Sequence, residues 1–100
     1  MKIWWMPSAV ADLDEIERYI ATDNPQAAVE VAERILEVAE ILERFPSAGR
    51  GGRVEGTREL VVPGTPYLLA YVVRRKQIVI LAAVHGSRAW PEEFEAVGTG

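Results

Sequence analysis

The sequence is 100 residues long, 49% hydrophobic and 26% charged, which is the length and composition of one ordinary globular domain and rules out a second. With no cysteine and one histidine, His85, it excludes disulfides, thiolate zinc sites, a cysteine nucleophile and a multi-histidine metal centre. Eleven basic against fifteen acidic residues, a net charge of −4, argue against a chain held on nucleic acid by bulk electrostatics.

Ile3 to Met6 is a short apolar run, rich in aromatics and stopped by Pro7, and predicts an opening strand. Ser8 is placed to cap a helix whose apolar positions Val10, Leu13, Ile16 and Ile20 recur at spacings of three and four, ending near Thr22. Asp12, Asp14 and Glu15 lie early in it, where the helix dipole favours acids. Asp23-Asn24-Pro25 then supplies a break, a cap and a proline at the first helical position, so a second helix starts there. Its stripe Ala28, Val31, Ile35, Val38, Leu42 and Phe45 opposes Glu30, Glu33, Glu37, Glu40 and Glu43, and Pro46 ends it. Two helices with so short a link lie antiparallel as a hairpin.

The stretch 47–53, with three glycines among arginines and no periodicity, predicts a loop. Arg58 to Val62 predicts a strand stopped by Pro63-Gly64. Tyr67 to Val73 and Gln77 to Val84 predict two more, joined at the charged tip Arg74-Arg75-Lys76. This order indicates an α+β domain: an N-terminal strand, a two-helix antiparallel hairpin, then a three-stranded antiparallel meander, forming one sheet with the helices on one face. The first strand is expected beside the last ones. The domain is expected to span residues 1–91, with 92–100 an acidic, flexible tail.

A sheet covered on one side alternates apolar with polar residues, yet here Tyr67, Leu69, Tyr71 and Val73 are matched by an equally apolar Leu68, Ala70 and Val72. Something therefore covers the second face: a protein partner, or sheet curvature together with long arginine stems. A tail carrying Glu92, Glu93 and Glu95 would be a poor lid.

Residues 1–45 hold ten acids and four bases, whereas residues 46–91 hold seven bases and two acids. The basic half is either a set of solvated faces or a functional patch. Within it, His85 is either a general acid beside the phosphate-binding guanidiniums of Arg58 and Arg88, the minimum set for cleaving an RNA backbone, or a structural hydrogen-bonder at a strand end. Ser87 lacks the Gly-x-Ser-x-Gly context of a serine nucleophile, and Gly49-Arg50-Gly51-Gly52 lacks the lysine and Ser/Thr of a phosphate-cradling loop. Trp4, Trp5 and Trp90 are interface anchors or core residues. The longest apolar run, Ile78 to Val84, is far short of the roughly 20 residues that span a bilayer, and Pro7 comes too early for a secretory apolar core. A soluble, cytoplasmic protein without cofactor or metal is the expectation.

Several runs resemble, in order, the RelE/ParE family of toxins from bacterial type II toxin–antitoxin systems. They are Asp12-Leu13-Asp14-Glu15-Ile16 with Tyr19-Ile20, Asn24-Pro25, Phe45-Pro46 with Gly49-Arg50, the run Arg58 to Tyr67, and Val84-His85-Gly86-Ser87-Arg88 with Trp90-Pro91. The last two resemble the ParE-like branch. The resemblance implies a growth-arresting toxin neutralised by an antitoxin encoded beside it, whose partly disordered C-terminal segment folds along the toxin. ParE-like members poison DNA gyrase and RelE-like members cleave messenger RNA on the ribosome. The long helical hairpin, the negative net charge and the lack of a dense Arg/Lys/Glu/Tyr cluster around the C-terminal strand favour a gyrase inhibitor that is not an enzyme. The alternative is a ribosome-dependent endoribonuclease using His85, Arg58 and Arg88. In either case Arg50, Arg53, Arg58, His85 and Arg88 are the expected target-contacting residues. Trp4, Trp5, Leu69, Tyr71 and Val73 are the expected antitoxin-binding residues, with no membrane partner and no sequence-specific DNA binding by this chain.

Overall fold

The computed structural model describes residues 1–87; Arg88, Trp90 and the tail 92–100 lie outside the described residues. In chain order the elements are β1 (Lys2–Trp5), α1 (Pro7–Ala21), α2 (Pro25–Arg44), β2 (Arg50–Gly51), β3 (Arg58–Val61), β4 (Tyr67–Arg74) and β5 (Gln77–His85).

Pro7 sets where α1 begins. Its fixed φ suits the first helical turn, so the extended Met6 becomes the N-cap, without a side-chain cap. Ser8, expected as the cap, lies inside the first turn, and its hydroxyl donates to the Leu81 carbonyl at 3.3 Å. The buried stripe accordingly includes Ala9, while Val10, expected in it, is exposed. Asn24 does cap α2: its Oδ1 accepts from the Ala27 N–H at 3.1 Å, and the Pro25 that follows it has no N–H to offer. At the other end Phe45 leaves helical geometry (φ −127°, ψ 73°), so its side chain departs from the stripe and is exposed.

The sheet order is β1-β5-β4-β3-β2, with β1 parallel to β5 and every other pair antiparallel. The first strand thus lies beside the last, and the domain is α+β. The sheet has five strands because Arg50 and Gly51, expected in a loop, pair with Glu59 and Arg58. Two polar or small residues carry no apolar alternation, so nothing in the pattern marks them as a strand. Where β1 stops, α1 takes over the edge of β5: Met6 N–H donates to the Ile80 carbonyl at 3.0 Å, and Ala83 N–H to Asp12 Oδ2 at 3.2 Å. Asp12 therefore satisfies a strand amide that would otherwise be orphaned.

The main core lies between the helices and one sheet face, where Ile16, Ile35, Val38 and Leu42 meet Leu69, Tyr71, Ile78 and Ile80. Each such side chain contributes about 1.5–3 kcal/mol by leaving water. On the opposite face Ala70, Val72, Leu81 and Ala82 form a second buried cluster, with Met6, Val79 and Val84 packed against it. The doubly apolar alternation of β4 is thus used on both faces. The residues at the centre of the second face are buried, with Met6, Val79 and Val84 packed against them. Trp4 and Val61, which share that face by register, remain about half exposed at its sides. Among the described residues no helix is long and apolar enough to cross a membrane, and no group of His, Asp or Glu side chains is placed to hold a metal ion.

Candidate functional site

The register of β2, β3 and β4 sorts the basic residues onto two faces. Arg50, Glu59 and Ala70 stand in one row facing away from the helices, and Gly51, Arg58 and Tyr71 in the next row facing them. Glu59 is 3% exposed, and a carboxylate so far out of water persists only with donors around it. They are present. The Arg53 backbone N–H donates to Oε2 at 2.8 Å, Arg53 Nε lies 3.6 Å from the same oxygen, and Arg50 Nη2 lies 3.5 Å from Oε1. Arg53 is carried over Glu59 by the tight connection 52–57, closed by Gly52 N–H to the Thr57 carbonyl at 2.8 Å and opened to a left-handed turn at Gly56 (φ 85°).

On the helix side Tyr71 bolts down the chain that leads into β2. Its hydroxyl accepts from Gly49 N–H at 2.8 Å and donates to the Pro46 carbonyl at 2.9 Å, while Arg58 Nη1 donates to the Gly49 carbonyl at 2.8 Å. Burial pushes the Tyr71 phenol above its ordinary pKa, against the Gly49 hydrogen bond and the nearby Arg58 charge, which pull it down. Gly49 has no space for a side chain: a Cβ there would stand 2.6 Å from the Tyr71 oxygen.

His85 stands at the other end of the strands. It pairs with Tyr67 across β4–β5, the rings meeting edge to face with centroids 5.7 Å apart. Its Nδ1 is 2.8 Å from Ser87 Oγ and accepts from Ser87 N–H at 3.3 Å. The ring borders a shallow groove whose wall includes Tyr19, Ile20, Val31 and Tyr67.

Of the expected target-contacting residues, the structure gathers Arg50 and Arg53 on one carboxylate, while Arg58 lies in the row that faces the helices, on the Gly49 carbonyl. It does not bring Arg58 to His85: their partners on β4, Tyr71 and Tyr67, are four residues apart, a span of about 13 Å. Arg53 bridges toward that end, donating from Nη2 to the Gly86 carbonyl beside His85. Arg88 lies outside the described residues. Among the described residues, the arrangement places cations around a buried carboxylate and keeps Arg58 apart from His85. Sequence reasoning missed Glu59. The signal in the sequence is an acid directly after Arg58, close behind Arg50 and Arg53, in a basic half whose other acid is Glu55.

The expected antitoxin-binding set needs correction. Leu69 and Tyr71 have no exposed surface, because register places both on the helix-covered face. Trp5 is half-buried against the helix-side core, whereas Trp4 and Val73 are exposed at 47% and 38%.

Comparison with known proteins places this architecture. Residues 3–90 match the family model described as the ParE toxin of type II toxin–antitoxin system, parDE. The chain is 40% identical over 91 residues to "Putative toxin Y4kP" of Sinorhizobium fredii, covering 91% of this chain and 94% of that protein. It is 32% identical over 87 residues to "Toxin RelE2" of Caulobacter vibrioides, covering 87% and 97%. A chain of the solved chromosomal ParDE toxin–antitoxin system from P. aeruginosa superposes with a TM-score of 0.78 at 31% identity, covering 85% of this chain and 95% of that one. A family match over nearly the whole length, on a sheet and helical hairpin that a ParDE structure shares, makes this chain a member of the ParE toxin family of type II toxin–antitoxin systems.

Proposed function

We propose that this toxin acts in the cytoplasm by binding DNA gyrase and is neutralised by direct binding of a cognate antitoxin. The observation that carries the gyrase reading is the separation of Arg58 from His85. Arg50 and Arg53 are engaged by Glu59 and Arg58 by the Gly49 carbonyl, and they offer a contact surface, while among the described residues the cation that reaches the His85 end is Arg53, held on the Gly86 carbonyl. Binding chemistry fits that arrangement better than cleavage of a phosphodiester. Arg50 and Arg53 form the centre of the target contact, with Arg58, whose row faces the helices, His85 and Arg88 as its lesser part. The antitoxin contact is Trp4, Val73 and the exposed part of Trp5. The likeness to a ParDE system supports an antitoxin partner.

The test is a purified assay of gyrase, ATP and plasmid, scoring supercoiling and trapped DNA breaks with and without the toxin. Inhibition with accumulated breaks is expected. No effect at large excess, together with cleavage of transcripts on ribosomes that is lost in His85→Gln, would replace this reading with the endoribonuclease. Saturating antitoxin should raise the melting temperature, because it binds only the folded chain.

A further inference from the structure

We propose that Glu59 is a positioning residue for target binding: its buried carboxylate holds Arg50 and Arg53 as a fixed guanidinium pair that receives carboxylates of a protein target. The inference rests on the proposed role of this surface as the target contact. Among the described residues Glu59 is the buried side chain that carries a charge, with its side chain 2% exposed, while Arg50 above it is 68% exposed and Arg53 38%. Both heads lie 3.5–3.6 Å from the buried carboxylate, and Arg53 donates to the Gly86 carbonyl as well, while both stay open to water on their outer side. A solvent-borne arginine loses rotamer freedom when it binds a partner; one already held on Glu59 has lost it on folding. Register strengthens the grip, since Arg50 stands directly opposite Glu59 and Arg53 is tied by its backbone as well as its side chain.

The chemistry of the occupant follows from charge and shape. Two guanidiniums on one carboxylate leave an excess positive charge, and their planar forks match carboxylate oxygens. A nucleic-acid backbone would need a broad field of cations, whereas this chain carries a net charge of −4 and a carboxylate at the centre of the cluster. An acidic patch on a protein is the fitting partner.

The experiment compares wild type, Glu59→Gln, Glu59→Asp, the Arg50→Ala/Arg53→Ala pair and the triple variant with Glu59→Gln, using gyrase inhibition, growth arrest on induction, melting temperature, and NMR of the arginine Nε–Hε groups. Glu59→Gln keeps an acceptor for Arg53 N–H and loses the charge. Its Arg50 and Arg53 Nε–Hε signals should collapse to rapid solvent exchange while the backbone spectrum stays folded. The concentration for half-inhibition should rise about tenfold, equal to the arginine pair, with nothing added in the triple variant. Glu59→Asp, which keeps the charge, should restore part of the loss and covers the case in which the glutamine variant does not fold. Arginine signals unchanged in Glu59→Gln, or losses that multiply in the triple variant, overturn the proposal. If wild type leaves gyrase untouched, the gyrase reading fails by itself, and equality of Glu59→Gln with the arginine pair in growth arrest still decides for or against Glu59.

Discussion

The two ends of β4 are built on different principles. Near Tyr71 polar groups are locked: a phenol joins Gly49 to Pro46, Arg58 holds the Gly49 carbonyl, and Glu59 gathers Arg50 and Arg53. Near Tyr67 the contacts are looser in kind: an edge-to-face ring pair, a histidine turned to its own neighbour Ser87, and an open groove beside exposed Tyr19. On the proposed reading, the first end places cations for recognition by charge, while the histidine at the second keeps to Tyr67 and Ser87. Arg53, reaching from the first end to the Gly86 carbonyl at the second, ties the two together.

The largest way to break the comparison is to remove what both ends share. Leu69→Ala or Ile35→Ala should cost about 2–5 kcal/mol, since both side chains are fully buried between helices and sheet, and should lower the melting temperature without selecting either end. A sharper cut is Tyr71→Phe, which leaves the Gly49 N–H and Pro46 carbonyl without their partner. It should cost about 1–3 kcal/mol and raise amide exchange at 46–51 while leaving the His85 end unchanged; equal loosening at both ends would contradict the division.

The same phenol gives a pH signature. Its pKa is raised in the folded state, so the neutral form is favoured there and its contribution is complete below the ordinary tyrosine value of about 10. Stability is lost as pH rises through the raised value. Wild type should therefore lose melting temperature more steeply than Tyr71→Phe above about pH 10; parallel curves would remove Tyr71 as the cause. The smallest effect is remote from either end: Asn24→Ala removes the α2 cap and should cost about 1 kcal/mol in a denaturant titration.

The fold was legible where apolar residues recur with a period. Ala28, Ile35, Val38 and Leu42 of the α2 stripe, Leu68 to Val72 of β4 and Ile80 to Ala83 of β5 are buried, while Val31 and Tyr67 are partly buried and Val73 is exposed. Asn24-Pro25 marked a helix start because its chemistry is local. What stayed hidden depends on contacts distant in sequence. β2 is two residues with no apolar member, Ser8 was displaced as a cap by a proline one position earlier, and Asp12 answers an amide on β5. In the site, the arginines stood out by charge, but their common anchor did not. Glu59 is recognisable only once register sets it opposite Arg50 and burial removes it from water. Leu69 and Tyr71 read as surface residues for the converse reason: an apolar strand does not announce which alternation faces the helices.

The central claim is that the fixed arginines, rather than His85, carry the toxin's action. It is tested most directly by titrating wild type, Arg50→Ala/Arg53→Ala and His85→Gln into a gyrase supercoiling assay side by side. The account predicts that the arginine pair raises the half-inhibitory concentration about tenfold or more, while His85→Gln shifts it by only a few-fold. A His85→Gln variant that loses all inhibition, with the arginine pair at wild-type potency, would contradict it.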